Sequence, residues 1–438
     1  MVMEKNNIKW ACIQPLTGGM YLGAAEAIGH DAEWILSYDG LDYVKYEKDG
    51  SEIKDAGNEY NLLQYLKKHN RNVPYYKICN RNMFETNTLT TNIEIRRDEL
   101  PEMPNYSDID LIVSVPVCSG LSMVTKASSA TKNSRNCNME WLAYYVLNVI
   151  RPKVYCFENA PTLISGRGDY IRTALENMAM SCGYSVLYYK TDTVYHNSCQ
   201  RRPRTFVIFF KWQNGHPELP PKFEYEHKTV TIPEFFSKIS KDAPQQIPVK
   251  SSPHNYMAID YLNKEYGDDW TDKLVNLNIV THIYMEGKIN DFIQFIKDGN
   301  YNEDDKKKSI KYLQHMIEKK NKGLNYFSQD ACLFKNLFPS VQFRSIPNML
   351  HYSGKRFCTI REYLSLMGMP EDFILYGGEK CVAKIGQNVP VNTAKFIVSQ
   401  ILNYVTNIDY ISTGFIDENN KTANVIMQDN TKENLTIK

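Results

Sequence analysis

A doubly wound, mostly parallel α/β sheet with a smaller second domain is the fold this sequence predicts, and three observations carry it. Strand-like and helix-like segments alternate through residues 1–213, the pattern of parallel strands joined by crossover helices. A stretch of breakers, Gly215, His216, Pro217, Pro220 and Pro221, then stops the alternation. Chemically capable side chains recur at the predicted strand ends, where open α/β sheets bind ligands.

The predicted strands are Ile8–Ile13, Glu33–Tyr38, Asp110–Val115, Lys153–Glu158, Tyr184–Tyr189 and Thr205–Lys211. Helical stretches, Met20–Ile28, Glu140–Ile150 and Tyr170–Cys182, lie between them. Residues 214–343 read as a separate, mostly helical module that is rich in lysine, including Lys306–Lys308, a run that a solvated helix face also explains. From residue 344 order returns, with helices expected over Cys358–Met367 and Asn388–Tyr404. This segment, 344–406, is expected to complete the first domain, and the polar tail 407–438 to fray.

Composition narrows the class without deciding it. Hydrophobic residues make up 43% and charged residues 23%, ordinary for a globular chain, and no apolar run is long enough for a membrane span. No signal peptide is recognised, so a cytoplasmic location without a membrane or an obligatory protein partner is the default. None of the ten cysteines falls in a CxxC pair, and Cys12 and Cys156 lie in apolar runs; neither a disulfide framework nor a metal site is expected. The net charge of +1 gives no hint of nucleic acid, so a basic DNA-facing surface must be local.

Three segments carry chemistry. Pro116-Val117-Cys118 places a thiol on a turn at a strand end, where a lone cysteine is more often structural. Glu158-Asn159 ends the next strand, where a carboxylate binds ribose, a metal or a ring nitrogen, or merely caps a loop. Gln200-Arg201-Arg202-Pro203-Arg204 precedes the last strand, and Arg202 and Arg204 share a face if the segment is extended. Upstream, Pro15-Leu16-Thr17-Gly18-Gly19 follows the first strand, and Asp39 lies twenty residues on from Gly19 at the end of the second. A glycine turn there lets backbone approach a ligand closely, and a carboxylate can accept both hydroxyls of a ribose.

Together and in this order these segments resemble the cytosine-5 DNA methyltransferase family. Cys118 falls on its Pro-Cys motif, Glu158 and Asn159 on its Glu-Asn-Val motif, and Arg202 and Arg204 on its Gln-x-Arg-x-Arg motif. The separations, 40 residues from Cys118 to Glu158 and 44 from Glu158 to Arg202, are of the family's size. Thr359-Ile360-Arg361-Glu362 with Leu366–Phe373 looks like its ninth motif, and Ile385-Gly386-Gln387-Asn388-Val389-Pro390 like its tenth.

The resemblance implies a sheet of the S-adenosylmethionine-dependent methyltransferase type and double-stranded DNA as partner. S-adenosylmethionine would lie against Pro15, Leu16, Thr17, Gly18, Gly19, Asp39, Pro116, Gln387, Asn388 and Val389. It implies attack of the Cys118 thiolate on carbon 6 of a flipped cytosine, which turns carbon 5 into a nucleophile for the methyl group. Glu158, protonated or sharing a proton with the ring, would bond nitrogen 3. Arg202 would hold the base carbonyl, Arg204 would favour the thiolate, and Asn159 would fix the loop. Ser122–Cys137 would close over the base, and 214–343 would read the target in the major groove.

Departures from the family pattern suggest a divergent branch, such as one of viral or mobile-element type. Ser119 replaces the glutamine after the nucleophile, Ala160-Pro161 replaces the valine, and Gln387-Asn388 stands where the tenth motif begins with asparagine. The first-motif loop lacks its aromatic residue and first glycine. Three rival readings stay open: transfer of a different group from a modified S-adenosylmethionine, action on structured RNA, and a DNA-binding protein that has lost catalysis.

Overall fold

The computed structural model describes residues 7–39, 45–46, 52–53, 59–79, 106, 108–116, 121, 137–198, 200–212, 223, 231–324, 330–333, 348–406 and 425–429. Contacts divide the chain into two units. One comprises 1–228, 367–369 and 388–438, and the other 229–366 and 370–387.

The first unit is built on an eight-stranded sheet. Its strands are β1 (Trp10–Ile13), β2 (Trp34–Asp39), β3 (Tyr75–Cys79), β4 (Leu111–Ser114), β5 (Val154–Asn159), β6 (Tyr184–Asp192), β7 (Pro203–Lys211) and β8 (Val425–Asp429). They lie in the order β8-β6-β7-β5-β4-β1-β2-β3, and every pairing is parallel except those of β7. Chain order reverses between β1 and β4, the switch point at which such sheets open a crevice.

Both faces of this sheet are covered, so its strands read as continuous apolar runs rather than alternating ones. Ala11, Ile13, Ile112, Tyr155, Phe157 and Phe209 pack with the helices α3 (Cys137–Tyr144) and α4 (Asp169–Cys182) in one core. On the helical side of β1, α1 (Gly19–Ile28) packs closely against α11 (Val391–Thr406). Cys12 and Cys156 are buried, and burial pushes both thiols up, as inert core residues. The helix α2 (Tyr60–Lys68) precedes β3, and neither was expected from the sequence. The tail was expected to fray throughout, yet Val425–Asp429 adds β8 beside β6; a short Val-Ile-Met run is enough to extend an open sheet edge.

His196, in the turn between β6 and β7, is 2% exposed. Its ring bonds Thr191 Oγ1 (3.3 Å) and Thr393 Oγ1 (3.2 Å) and stacks on Phe396. Burial pushes its pKa down to about 3. The folded chain therefore holds it neutral while the unfolded chain protonates it below about 6.5, so folding loses stability as pH falls from 6.5 towards 3. The expected loss is about 1.4 kcal/mol per pH unit, or about 2 kcal/mol at pH 5. Urea unfolding of wild type and His196→Gln between pH 7 and pH 5 checks this; equal slopes for the two proteins contradict it.

The second unit is helical: α5 (Pro253–Tyr266), α6 (Ile279–Met285), α7 (Ile289–Asp298), α8 (Glu303–Asn321), α9 (Ile360–Leu366) and α10 (Val382–Gln387). Asn302 caps α8 by accepting from the amides of Asp304 (2.9 Å) and Asp305 (3.4 Å), and three acidic residues follow in its first turn. Asp330, fully buried, ties α6 to α8 by accepting from the Thr281 amide and hydroxyl and from the Tyr312 hydroxyl. By contacts, the described residues 348–366 and 370–387 group with this unit. The Val249 amide donates to the Cys358 carbonyl (3.1 Å), and Pro248 bridges Thr359. Among the described residues, no helix is long and apolar enough to cross a membrane.

Candidate active site

The carboxyl edge of the sheet carries several of the described residues singled out from the sequence. The first strand ends at Ile13, and the chain turns through Gln14 and Leu16, both with left-handed backbone at φ 52° and 50°, and Gly18 at φ 111°. Leu16 thus holds a conformation that suits glycine, so the loop turns sharply without the missing glycine. The Gly18 amide closes the turn on the Pro15 carbonyl (2.9 Å), and Thr17 is buried. Gly19 starts α1, and any Cβ there would run into the Val389 carbonyl. Its amide donates to Asn388 Oδ1 (2.8 Å). No acidic side chain occupies the first turn of α1.

This bare-backbone turn, at the switch point and leading into a helix N-terminus, fits a nucleotide-like cofactor such as S-adenosylmethionine. A Cβ at Gly18 would stand 2.9 Å from Leu62, so only glycine keeps the turn in place. Asp39 ends β2 at the same edge, and its side chain lies outside the described residues. Asn388 and Val389 lie buried against this loop, whereas Gln387 ends α10 and groups with the second unit.

Beside it, β4 and β5 run parallel, with Ser114 paired to Phe157. Pro116 lies buried just beyond β4, and Leu121 is buried five residues on, its carbonyl accepting from the Thr162 hydroxyl. Cys118 and most of the expected closing loop, residues 122–136, lie outside the described residues.

Glu158 and Asn159 end β5 and are both buried. Because β7 runs antiparallel to β5, its first residues reach the same edge, with Asn159 opposite Thr205. That register brings Arg204 Nε to 2.6 Å from Glu158 Oε1. Burial pushes the Glu158 carboxyl up, while Arg204 and then Arg202 pull it back. Asn159 Oδ1 accepts from the Ala160 amide (2.9 Å) and fixes the turn, whereas its Nδ2 has no hydrogen-bond partner among the described residues.

Arg202 precedes the strand rather than continuing it, so it does not share a β7 face with Arg204. The residue is 5% exposed, and its guanidinium donates to the Asn388 carbonyl (3.0 Å). Its backbone amide donates to Asp192 Oδ1 (2.7 Å), and Asp192 Oδ2 accepts from Arg201 Nε (3.1 Å). Asp192, 2% exposed, therefore holds the arginine segment in register, a part that sequence reasoning missed. A carboxylate at the end of a strand preceding Gln-x-Arg-x-Arg was the available signal. The ninth-motif residues prove to be a helix start in the second unit. Thr359 Oγ1 accepts from the Glu362 amide (3.1 Å) and Glu362 Oε2 from the Thr359 amide (2.8 Å), a reciprocal cap, with Arg356 bidentate on Glu362.

The family model for C-5 cytosine-specific DNA methylase matches residues 74–403. A type II methyltransferase, M1.HphI of Haemophilus parahaemolyticus, is 21% identical over 314 residues, 71% of this chain and 73% of that protein. Among solved structures, Entamoeba histolytica methyltransferase EhMeth aligns with 10% identity over 92% of this chain and 98% of its own, at a TM-score of 0.46. The Dnmt2 methyltransferase of S. pombe aligns with 14% identity over 90% and 98%, at 0.42.

Proposed function

The chain belongs to the C-5 cytosine-specific DNA methylase family, and from that premise we propose that it methylates carbon 5 of cytosine in double-stranded DNA through a covalent bond from Cys118. The observation that carries this is the buried Glu158–Arg204 pair at the end of β5, beside the strand that leads to Cys118.

Cytosine carbon 5 is a weak nucleophile, and each residue answers part of that problem. The Cys118 thiolate adds to carbon 6, and electron density moves through the ring towards nitrogen 3 and carbon 5. Glu158, favoured in its protonated form by burial, donates a hydrogen bond to nitrogen 3 as charge develops there. Arg204 engages Glu158 Oε1, and the proposal has the base meet the same carboxyl group. Arg204, 22% exposed at its side chain, is proposed to share with Arg202 the task of holding the base carbonyl. Arg202 also donates to the Asn388 carbonyl, which steadies its guanidinium. Asn159 holds the turn after β5. The 15–19 loop with Asn388 and Val389 would hold S-adenosylmethionine, which would supply an electrophilic methyl group. Loss of the carbon 5 proton then expels Cys118.

The second unit is the proposed target reader, supplied with phosphate-binding lysines. Of the lysine run, Lys306 already pairs with Glu303 (2.9 Å) and the Lys297 carbonyl (3.2 Å), while Lys307 and Lys308 are exposed.

Mass spectrometry of nucleosides from DNA incubated with the protein and S-adenosylmethionine tests the proposal. 5-Methylcytosine is expected; unmodified DNA, a different adduct, or modification confined to RNA overturns it. Sequencing of the modified DNA then gives the target site.

A further inference from the structure

We propose that Asn388 is a positioning residue that couples the cofactor loop to the base-binding end of the site. The inference rests on the function proposed above and assigns a device within that site.

Two described bonds meet at Asn388 from opposite sides. Its side-chain Oδ1 accepts from the Gly19 amide (2.8 Å), at the start of α1. Its backbone carbonyl accepts from Arg202 Nη2 (3.0 Å). One residue thus touches both the loop assigned to the cofactor and the arginine segment whose charge acts on Glu158. The residue is 1% exposed, so no water layer loosens either bond. Its Nδ2 meets Met369 Sδ (3.2 Å), which sets the amide with oxygen towards Gly19.

The packing makes this link stiff. Gly19 has no room for a Cβ because the Val389 carbonyl and the Asn388 side chain lie directly on it. A shift of the first turn of α1 therefore carries Asn388 with it. On the far side, the Arg202 backbone is anchored to Asp192, so the side chain is the part that follows the Asn388 carbonyl. A ligand seated on the 14–19 loop would thereby bias where the Arg202 charge stands relative to Glu158. By linkage, a base held at Glu158 would raise affinity at the loop by the same factor. The plain alternative is that Asn388 only staples α11 back to the sheet.

The two roles separate in a binding experiment on the full chain. A duplex carrying the sequenced target site is titrated with and without saturating S-adenosylhomocysteine, a non-reactive stand-in for the cofactor. Wild type is expected to bind the duplex roughly fivefold or more tightly with it. Asn388→Ala, which removes the side-chain contacts to Gly19 and Met369 and keeps the backbone carbonyl for Arg202, should bring that ratio to within about twofold of one at saturating S-adenosylhomocysteine. Asn388→Asp keeps an acceptor for the Gly19 amide and should restore the ratio. If the Ala variant does not fold, Asn388→Leu fills the same space and carries the test. A wild-type ratio near one, or a full ratio in the Ala or Leu variant, overturns the proposal. Wild type that forms 5-methylcytosine but shows no ratio sinks this inference alone; wild type that forms none sinks the function with it.

Discussion

Replacing Cys118 by Ala is expected to abolish 5-methylcytosine formation while leaving DNA affinity within roughly tenfold of wild type, about 1.4 kcal/mol. The reason is chemical. Without addition at carbon 6, carbon 5 stays a poor nucleophile, and no neighbouring group restores its reactivity. Affinity depends on phosphate and groove contacts spread over a larger surface, so losing one thiol disturbs it little. Nucleoside mass spectrometry and a mobility-shift titration read the two quantities separately. An Ala variant that still methylates would move the nucleophile elsewhere.

Glu158→Gln should lower the rate of methyl transfer by roughly 10²–10⁴-fold, the contribution of a well-placed general acid. Gln keeps the shape and one hydrogen-bonding oxygen for Arg204, but it cannot pass a proton to nitrogen 3. S-adenosylhomocysteine affinity should stay near wild type, because Glu158 ends β5 while the glycine loop follows β1. Calorimetry and single-turnover kinetics check the pair of expectations. A variant within tenfold of the wild-type rate would remove Glu158 from the chemistry.

Much of the first unit is legible in the sequence because its physics is local. Strands buried on both faces are apolar along their middles, and β1, β4, β5 and β7 are, with polar residues confined to the ends of the last three. The edge strand β3, with Lys77 in its middle, and β8, set in a polar tail, lack that signal and escaped notice. The motif residues after β1 and at β5 and β7 come to one edge because β7 runs antiparallel to β5, which no residue type announces.

Asp192 shows the same limit. Its work is to hold the Arg202 backbone amide ten residues away, a bond visible only once β6 and β7 have paired. Leu16 shows the converse: the sequence departs from a glycine pattern, yet the backbone keeps a left-handed turn at φ 50°. The segment 348–366 resembles a family motif, whereas its packing follows the Pro248–Thr359 bridge and the Thr359–Glu362 cap, which no motif announces.

The covalent step at Cys118 is tested most directly by trapping it. DNA carrying 5-fluorocytosine at the target site, incubated with the protein and S-adenosylmethionine, cannot lose fluorine as it would a proton, so addition becomes irreversible. Denaturation, nuclease and protease digestion, and mass spectrometry of the peptides then locate the bond. The account predicts one modified peptide, with the methylated fluoropyrimidine on the sulfur of Cys118. An adduct on any other residue, or none from protein that methylates ordinary cytosine, would contradict it.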